Sequence, residues 1–245
     1  MENKYVFNIV GTPIGNLEDI SLRAIHALEN ADIILCEDIR VSKKMFSLLG
    51  LNIKAKLISF HLFNEKNNLE KIIFDIKSGL NLCLISDAGM PLINDPGFNL
   101  IAECKNHKDI FINVISGPCA LIHAFIKANQ SNVFSFLGFL APKSSQRQAM
   151  LKSLNFGTYI AYLSPHKLID TINDFNVVHG ENIKLYLIKE MTKLHENEFE
   201  GSPLEVLNLL KEQSENIKGE FTLVFTITKE KKHEKINKYK NINNV

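Results

Sequence analysis

Glu37 and Asp38 close the apolar run ADIILCED (31–38), and Arg40 follows two residues later. Two carboxylates at the end of a buried strand suit a ribose, or they pair with the arginine at the surface. His61, Asn64 and Glu65 follow the next apolar run, KLISF (56–60). An imidazole there serves as a base, as a phosphate contact, or only as a hydrogen-bonded bystander. The stretch SDAGMPLINDPG (86–97) packs two Asp, two Gly and two Pro into twelve positions. Its small residues let a ligand approach the peptide groups, and Pro91 and Pro96 stiffen it. VGTPIGN (10–16) carries Gly11 and Gly15 without the middle glycine of a dinucleotide loop or the lysine of a phosphate loop. SGPCA (116–120) offers Ser116, Gly117 and the free N–H groups of a helix start to a polar or anionic group. Each loop alone is equally a turn. Together they gather Gly, Pro and acidic residues at five successive strand ends.

The elements that must position these loops follow from periodicity. YVFNIV (5–10), ADIILCED, KLISF, NLCLIS (81–86) and IFINVIS (110–116) read as strands. SLRAIHALEN (21–30), KKMFSLLG (43–50), NLEKIIFDIKSG (68–79) and FNLIAECKN (98–106) read as helices between them. Strands alternating with helices imply a mostly parallel sheet covered on both faces. After GPCALIHAFIKAN (117–129) the rhythm changes. VFSFLGF (133–139), TYIAYLS (158–164), KLYLIKE (184–190) and EFTLVFTIT (220–228) read as strands. APKSSQRQ (141–148) reads as a polar loop entering a helix, HKLIDTINDF (166–175) as a helix, and SPLEVLNLLKE (202–212) as a Ser-capped helix. The expected organisation is an α/β chain with a first domain over 1–118 and a second over 119–228. A Lys- and Asn-rich tail over 229–245 is expected not to pack.

The chain has 245 residues, 45% hydrophobic and 22% charged, with a formal net charge of +1. That supports a real core and neither demands nor excludes a polyanionic partner. Cys36, Cys83, Cys104 and Cys119 form no CxxC pair and read as reduced cysteines of a cytoplasmic protein. No leader-like start or membrane-spanning run is legible, and the eight His and four Cys show no metal-ligand spacing.

The segments VGTPIGNLEDISLRA, CEDIR, SDAGMPLINDPG, SGPCA, YLSPHK, KEMTK and KGEFTLVF occur in one order from Tyr5 to Ile227. In that order the chain resembles the ribosomal RNA small subunit methyltransferase I family, of the tetrapyrrole-methylase-like class. The resemblance implies two αβα domains with the methyl donor, S-adenosyl-L-methionine, in the cleft between them. It also implies a homodimer that methylates the 2′-hydroxyl of a cytidine in the decoding region of small-subunit ribosomal RNA. The donor is then expected against Pro13, Ile14 and Gly15, against Asp87, Ala88, Gly89, Met90 and Pro91, and against Gly117, Pro118, Cys119 and Ala120. Further contacts are expected from Tyr162, Leu163 and Ser164, and from Lys189, Glu190, Gly219 and Glu220.

Such a donor has no phosphate to bind, which accounts for the missing lysine and glycines. Its sulfonium supplies the reactive methyl, so the protein chiefly aligns acceptor, carbon and sulfur. A ribose hydroxyl must lose its proton during attack, and Asp38, His61, Glu190 and His166 are the candidate bases. Arg40, Lys167 and Lys193 are candidate electrostatic supports. Lys143, Arg147, His166, Lys167 and Lys193 are the candidate RNA contacts. Two positions depart from the family pattern: Leu163 stands where a Glu is common, and Ile39 where a Thr is common. Rival readings are a tetrapyrrole methyltransferase, a dinucleotide-dependent oxidoreductase, and a binding factor in ribosome assembly that has lost catalysis.

Overall fold

The computed structural model describes residues 4–212 and 218–228. The tail reading at 229–245 lies outside them. The first five apolar runs form strands β1 (Tyr5–Val10), β2 (Ile33–Cys36), β3 (Lys56–Ser59), β4 (Leu82–Ile85) and β5 (Ile110–Ile115). They make one sheet in the order β3-β2-β4-β1-β5, with every pairing parallel. β2 and β4 are buried along their whole length, as unbroken apolar runs inside a parallel sheet must be.

Alternation sends successive residues to opposite faces. Val10, Ile34, Cys36 and Ile85 pack with Ala24 and Leu28 of helix α1 (Leu22–Glu29) and Met45 and Phe46 of α2 (Ile39–Leu48). Phe7, Ile9, Leu35 and Leu84 pack with Ile72, Ile73 and Ile76 of α3 (Glu65–Lys77) and Leu100 and Cys104 of α4 (Phe98–Lys105). The chain therefore leaves neighbouring strands β1 and β4 toward opposite faces. That opens a crevice at their C-terminal ends, where open α/β sheets hold ligands. Helix α2 starts earlier than KKMFSLLG suggests, because the Asp38 carboxylate caps it by accepting the Arg40 N–H.

Helix α5 (Ala120–Ala128) follows the first sheet in sequence but packs on a second. Its Leu121, Ala124 and Ala128 meet Ile160, Tyr186, Ile188 and Val224. The second sheet comprises β6 (Ser135–Phe139), β7 (Gly157–Leu163), β8 (Ile183–Lys189), β9 (Asn197–Gly201) and β10 (Phe221–Ile227), in the order β6-β7-β10-β8-β9. Only β6 and β7 are parallel; the other pairings are antiparallel. Its other face is covered by α6 (Ser144–Ser153), α7 (Leu168–His179) and α8 (Pro203–Glu212) through Leu151, Ile172, Phe175, Val206 and Leu210. The strand β9 has no counterpart in the sequence reading. Its sequence NEFEG holds one buried side chain, Phe199, on an edge strand that alternation cannot announce.

Candidate active site

The loops after β1 and β4 are tied together backbone to backbone. Thr12 N–H donates to Gly89 O at 2.8 Å, and Gly89 N–H donates back to Thr12 O at 3.1 Å. Gly89 holds φ +81°, a conformation that L side chains rarely adopt. The loop after β5 closes on the same point: a Cβ on Gly11 would stand 2.6 Å from Gly117 Cα. Beyond Pro91 the long loop holds Leu92 and Asn94 at φ 72° and 71°. The Asn94 amide reaches β6 of the second sheet, where a Cβ on Gly138 would lie 2.7 Å from Asn94 Oδ1. The surroundings hold this strained backbone in place.

Between these loops and the second sheet lies a cavity of about 340 Å³. Of the expected donor residues, Ile14, Ala88, Gly89, Met90, Cys119, Ala120, Tyr162, Leu163, Ser164, Gly219 and Glu220 line it. Pro13, Gly15, Asp87, Pro91, Gly117, Pro118, Lys189 and Glu190 are not in its wall. Gly15 packs on Thr192 and Lys193, and Gly117 on Gly11. Pro118 borders a separate polar recess with His123 and Thr192. Asp87 accepts the Asp38 N–H at 3.0 Å. The wall also includes Ile93, Asn94, Asp95, Phe139, Met191 and Thr222, which the sequence reading did not select. Ile93, Asn94 and Asp95 were on view in SDAGMPLINDPG, Met191 in KEMTK and Thr222 in KGEFTLVF, while Phe139 ends the strand run VFSFLGF. Leu163, at the departure from the family pattern, is buried in both the second core and the cavity wall.

The lining is mainly apolar and, among the described residues, contains no Lys, Arg or His; its carboxylic acids there are Asp95 and Glu220. Burial pushes Asp95 up to about 7, and the nearby Glu37 and Asp87 add to the rise while a Ser86 hydrogen bond opposes it. Glu37 and Asp87 are themselves raised, chiefly by burial. A wall lined by no cationic side chain among the described residues does not repel a positively charged ligand.

The candidate bases are placed differently. Asp38 is held down at about 2 by hydrogen bonds from Arg40, whose guanidinium stands in solvent. Burial raises Glu190, but the Glu220 N–H at 2.8 Å and Lys193 Nζ at 3.0 Å outweigh it and leave its carboxyl below the usual range. Asp38 caps a helix and Glu190 braces the 189–193 turn to residue 220, and these bonds hold both carboxylates in their ionised form. His61 lies outside the cavity wall, with Nδ1 buried and without a hydrogen-bond partner and its ring edge-on to Phe63. His166 is exposed and also outside the wall.

Among the RNA candidates, Lys143, His166 and Lys167 are exposed. Arg147 is a correction. It is 2% exposed; Nε donates to Asp174 Oδ2 at 2.7 Å and Nη1 to Ala141 O at 2.8 Å. It is an internal brace and has no face to offer a phosphate. The Lys193 ammonium is half-buried and shared by Glu190 and Glu220. Among the described residues, no group of three or more His, Cys, Asp or Glu could hold a metal ion, and no helix is long and apolar enough to cross a membrane.

The family described as tetrapyrrole (corrin/porphyrin) methylases matches residues 6–206. The chain belongs to the tetrapyrrole methylase family. Its methyl donor is S-adenosylmethionine. The chain is 48% identical over 220 residues to the ribosomal RNA small subunit methyltransferase I of Mycoplasmopsis pulmonis, covering 89% of this chain and 96% of that one. It is 43% identical over 241 residues to the protein of the same name from Mesomycoplasma conjunctivae, covering 97% of each. Among solved structures, diphthine synthase superposes with a TM-score of 0.65 at 13% identity, over 91% of this chain and 90% of that one. At that identity the likeness speaks for the methylase fold alone. The donor fits the cavity on the chain's own chemistry: an apolar wall for an adenine and Asp95 for a cation.

Proposed function

We propose that the protein transfers a methyl group from S-adenosylmethionine to the 2′-hydroxyl of a cytidine in the decoding region of small-subunit ribosomal RNA, working as a homodimer. The observation that carries this is the apolar cavity between the two sheets, in a chain that matches relatives named as small-subunit ribosomal RNA methyltransferases over nearly their whole length.

In this reading Ile14, Ala88, Gly89, Cys119, Ala120 and Tyr162 hold the donor. When bound, the donor supplies a methyl group already activated by its sulfonium. The chain's part is to fix the line of attack, exclude water and receive a proton. The zipped loops at Thr12 and Gly89 supply the fixed geometry at little further ordering cost. Lys143, His166 and Lys167 stand in solvent, where RNA phosphates can reach them, and Arg40 is exposed beyond the first sheet.

The test is to incubate the protein with labelled donor and small ribosomal subunits that lack the modification, then map the label. Label at a ribose, with local resistance of the RNA to alkaline cleavage, supports the reading. Donor binding without label in ribosomal RNA refutes the acceptor. Label on an added tetrapyrrole instead favours the family's other substrate class.

A further inference from the structure

On the reading just proposed, we infer that Asp95 is the proton-accepting carboxylate of the donor cavity, ionising as the cationic donor enters and taking the proton of the acceptor hydroxyl. The inference begins with position. Of the two acids in the wall, Glu220 is largely exposed and its carboxylate is bound to Lys193. Asp95 lies in the wall of the same cavity and takes part in none of the ion pairs found among the described residues. The charged groups that act on it are Glu37 at the end of β2 and Asp87 at the end of β4, both negative. Across the cleft it acts on Tyr162 of β7, whose hydroxyl is pushed up, chiefly by burial. Among the described residues, no cation is paired with it.

The backbone fixes where it points. Asn94 before it is held at φ 71°, Pro96 follows, and Gly97 takes φ 125° with Leu84 directly behind. These neighbours fix the backbone from which the Asp95 side chain enters the cavity wall.

This setting gives Asp95 two linked states. Without donor, burial and two like charges favour its neutral form near neutral pH. A positive charge entering the cavity favours the carboxylate, so donor entry expels a proton. The carboxylate then accepts the acceptor's proton as the O–H bond breaks and the new O–C bond forms. The C–S bond breaks with its electron pair retained by sulfur. One cation and one anion become two neutral groups, a thioether and a carboxylic acid, and the acid returns its proton to solvent after release.

The experiment has two readouts on the full-length protein. The first needs no turnover: calorimetry of S-adenosylmethionine binding slightly below neutral pH, in buffers of different ionisation enthalpy. Wild-type protein is expected to release a substantial fraction of a proton on binding, and Asp95→Asn to release less. The second is single-turnover methylation at saturating donor, where Asp95→Asn is expected to lose about 100-fold or more. The binding heat of the variant reports that it is folded. Ser86→Ala, which removes a hydrogen bond favouring the carboxylate, is expected to move the acid limb of the rate profile to higher pH. Equal proton release in wild type and Asp95→Asn overturns the inference, as does an unchanged rate at saturating donor. If wild-type protein labels no ribosomal RNA, the acceptor reading falls, while the proton count still decides the role of Asp95.

Discussion

Replacing Arg147 with alanine separates an internal brace from an RNA contact. The guanidinium and the Asp174 carboxylate are 2% and 7% exposed, and they pair inside the second unit. Removing the arginine leaves the carboxylate buried with only Ser144 and Gln148 as partners, at 2.7 Å each, and frees the Ala141 carbonyl. Breaking one side of such a pair costs about 3–5 kcal/mol. In a chain of this size that lowers the melting midpoint by about 6–20 °C. The double variant Arg147→Met with Asp174→Leu removes both charges together. It is expected to recover most of the loss, since the uncompensated charge is the larger part of the cost. Asp174 also sets a pH dependence. Burial raises its carboxyl, but Gln148, Ser144 and Arg147 together hold it below the usual range. Its contribution is therefore present above the ordinary Asp range, near pH 4, and fades as pH falls through the lowered folded value. The assay is thermal and urea unfolding of the two variants over pH, with RNA affinity measured on folded protein. A fall in RNA affinity with unfolding unchanged would refute the reasoning and return Arg147 to the RNA surface.

Two further outcomes follow from the geometry. Gly11→Ala places a methyl 2.6 Å from Gly117 Cα and from Met90 Sδ, so the loops after β1 and β5 must part. Calorimetry is expected to show donor affinity falling by about tenfold or more, as it does when a preorganised site loosens; unchanged affinity would mean that the loop junction does not shape the cavity. Replacing Lys143 and Lys167 together with alanine is expected to weaken binding to single-stranded ribosomal RNA fragments and reduce the salt slope by about 1.4, while donor binding stays constant. An unchanged salt slope would place the RNA elsewhere.

The first sheet was legible because its strands are unbroken apolar runs and its helices carry a regular apolar face. The loops of the site were legible for the same reason: they sit where those runs end. What escaped depends on partners far away in sequence. In SSQRQ, Arg147 looks like one more solvated residue, and only its place one turn before the buried Leu151 hints otherwise. Asp95 was in plain sight, yet its setting is made by Glu37 and Asp87 from other strands. Conversely, Asp38 looked chemically available because the sequence does not reveal that it caps α2 and binds Arg40. Asp87 and Glu190 were read as donor contacts by motif, but their carboxylates bind backbone N–H groups behind the wall.

The central claim is that the cavity between the two sheets holds the methyl donor. Hydrogen exchange with and without S-adenosylmethionine tests it most directly. The account predicts protection concentrated in peptides spanning 86–97, 117–121, 160–165 and 219–222, with little change at the outer edge strands β3 and β9. Donor binding that protects the recess around Asn16, His123 and Thr192 instead, or no donor binding at all, would contradict it.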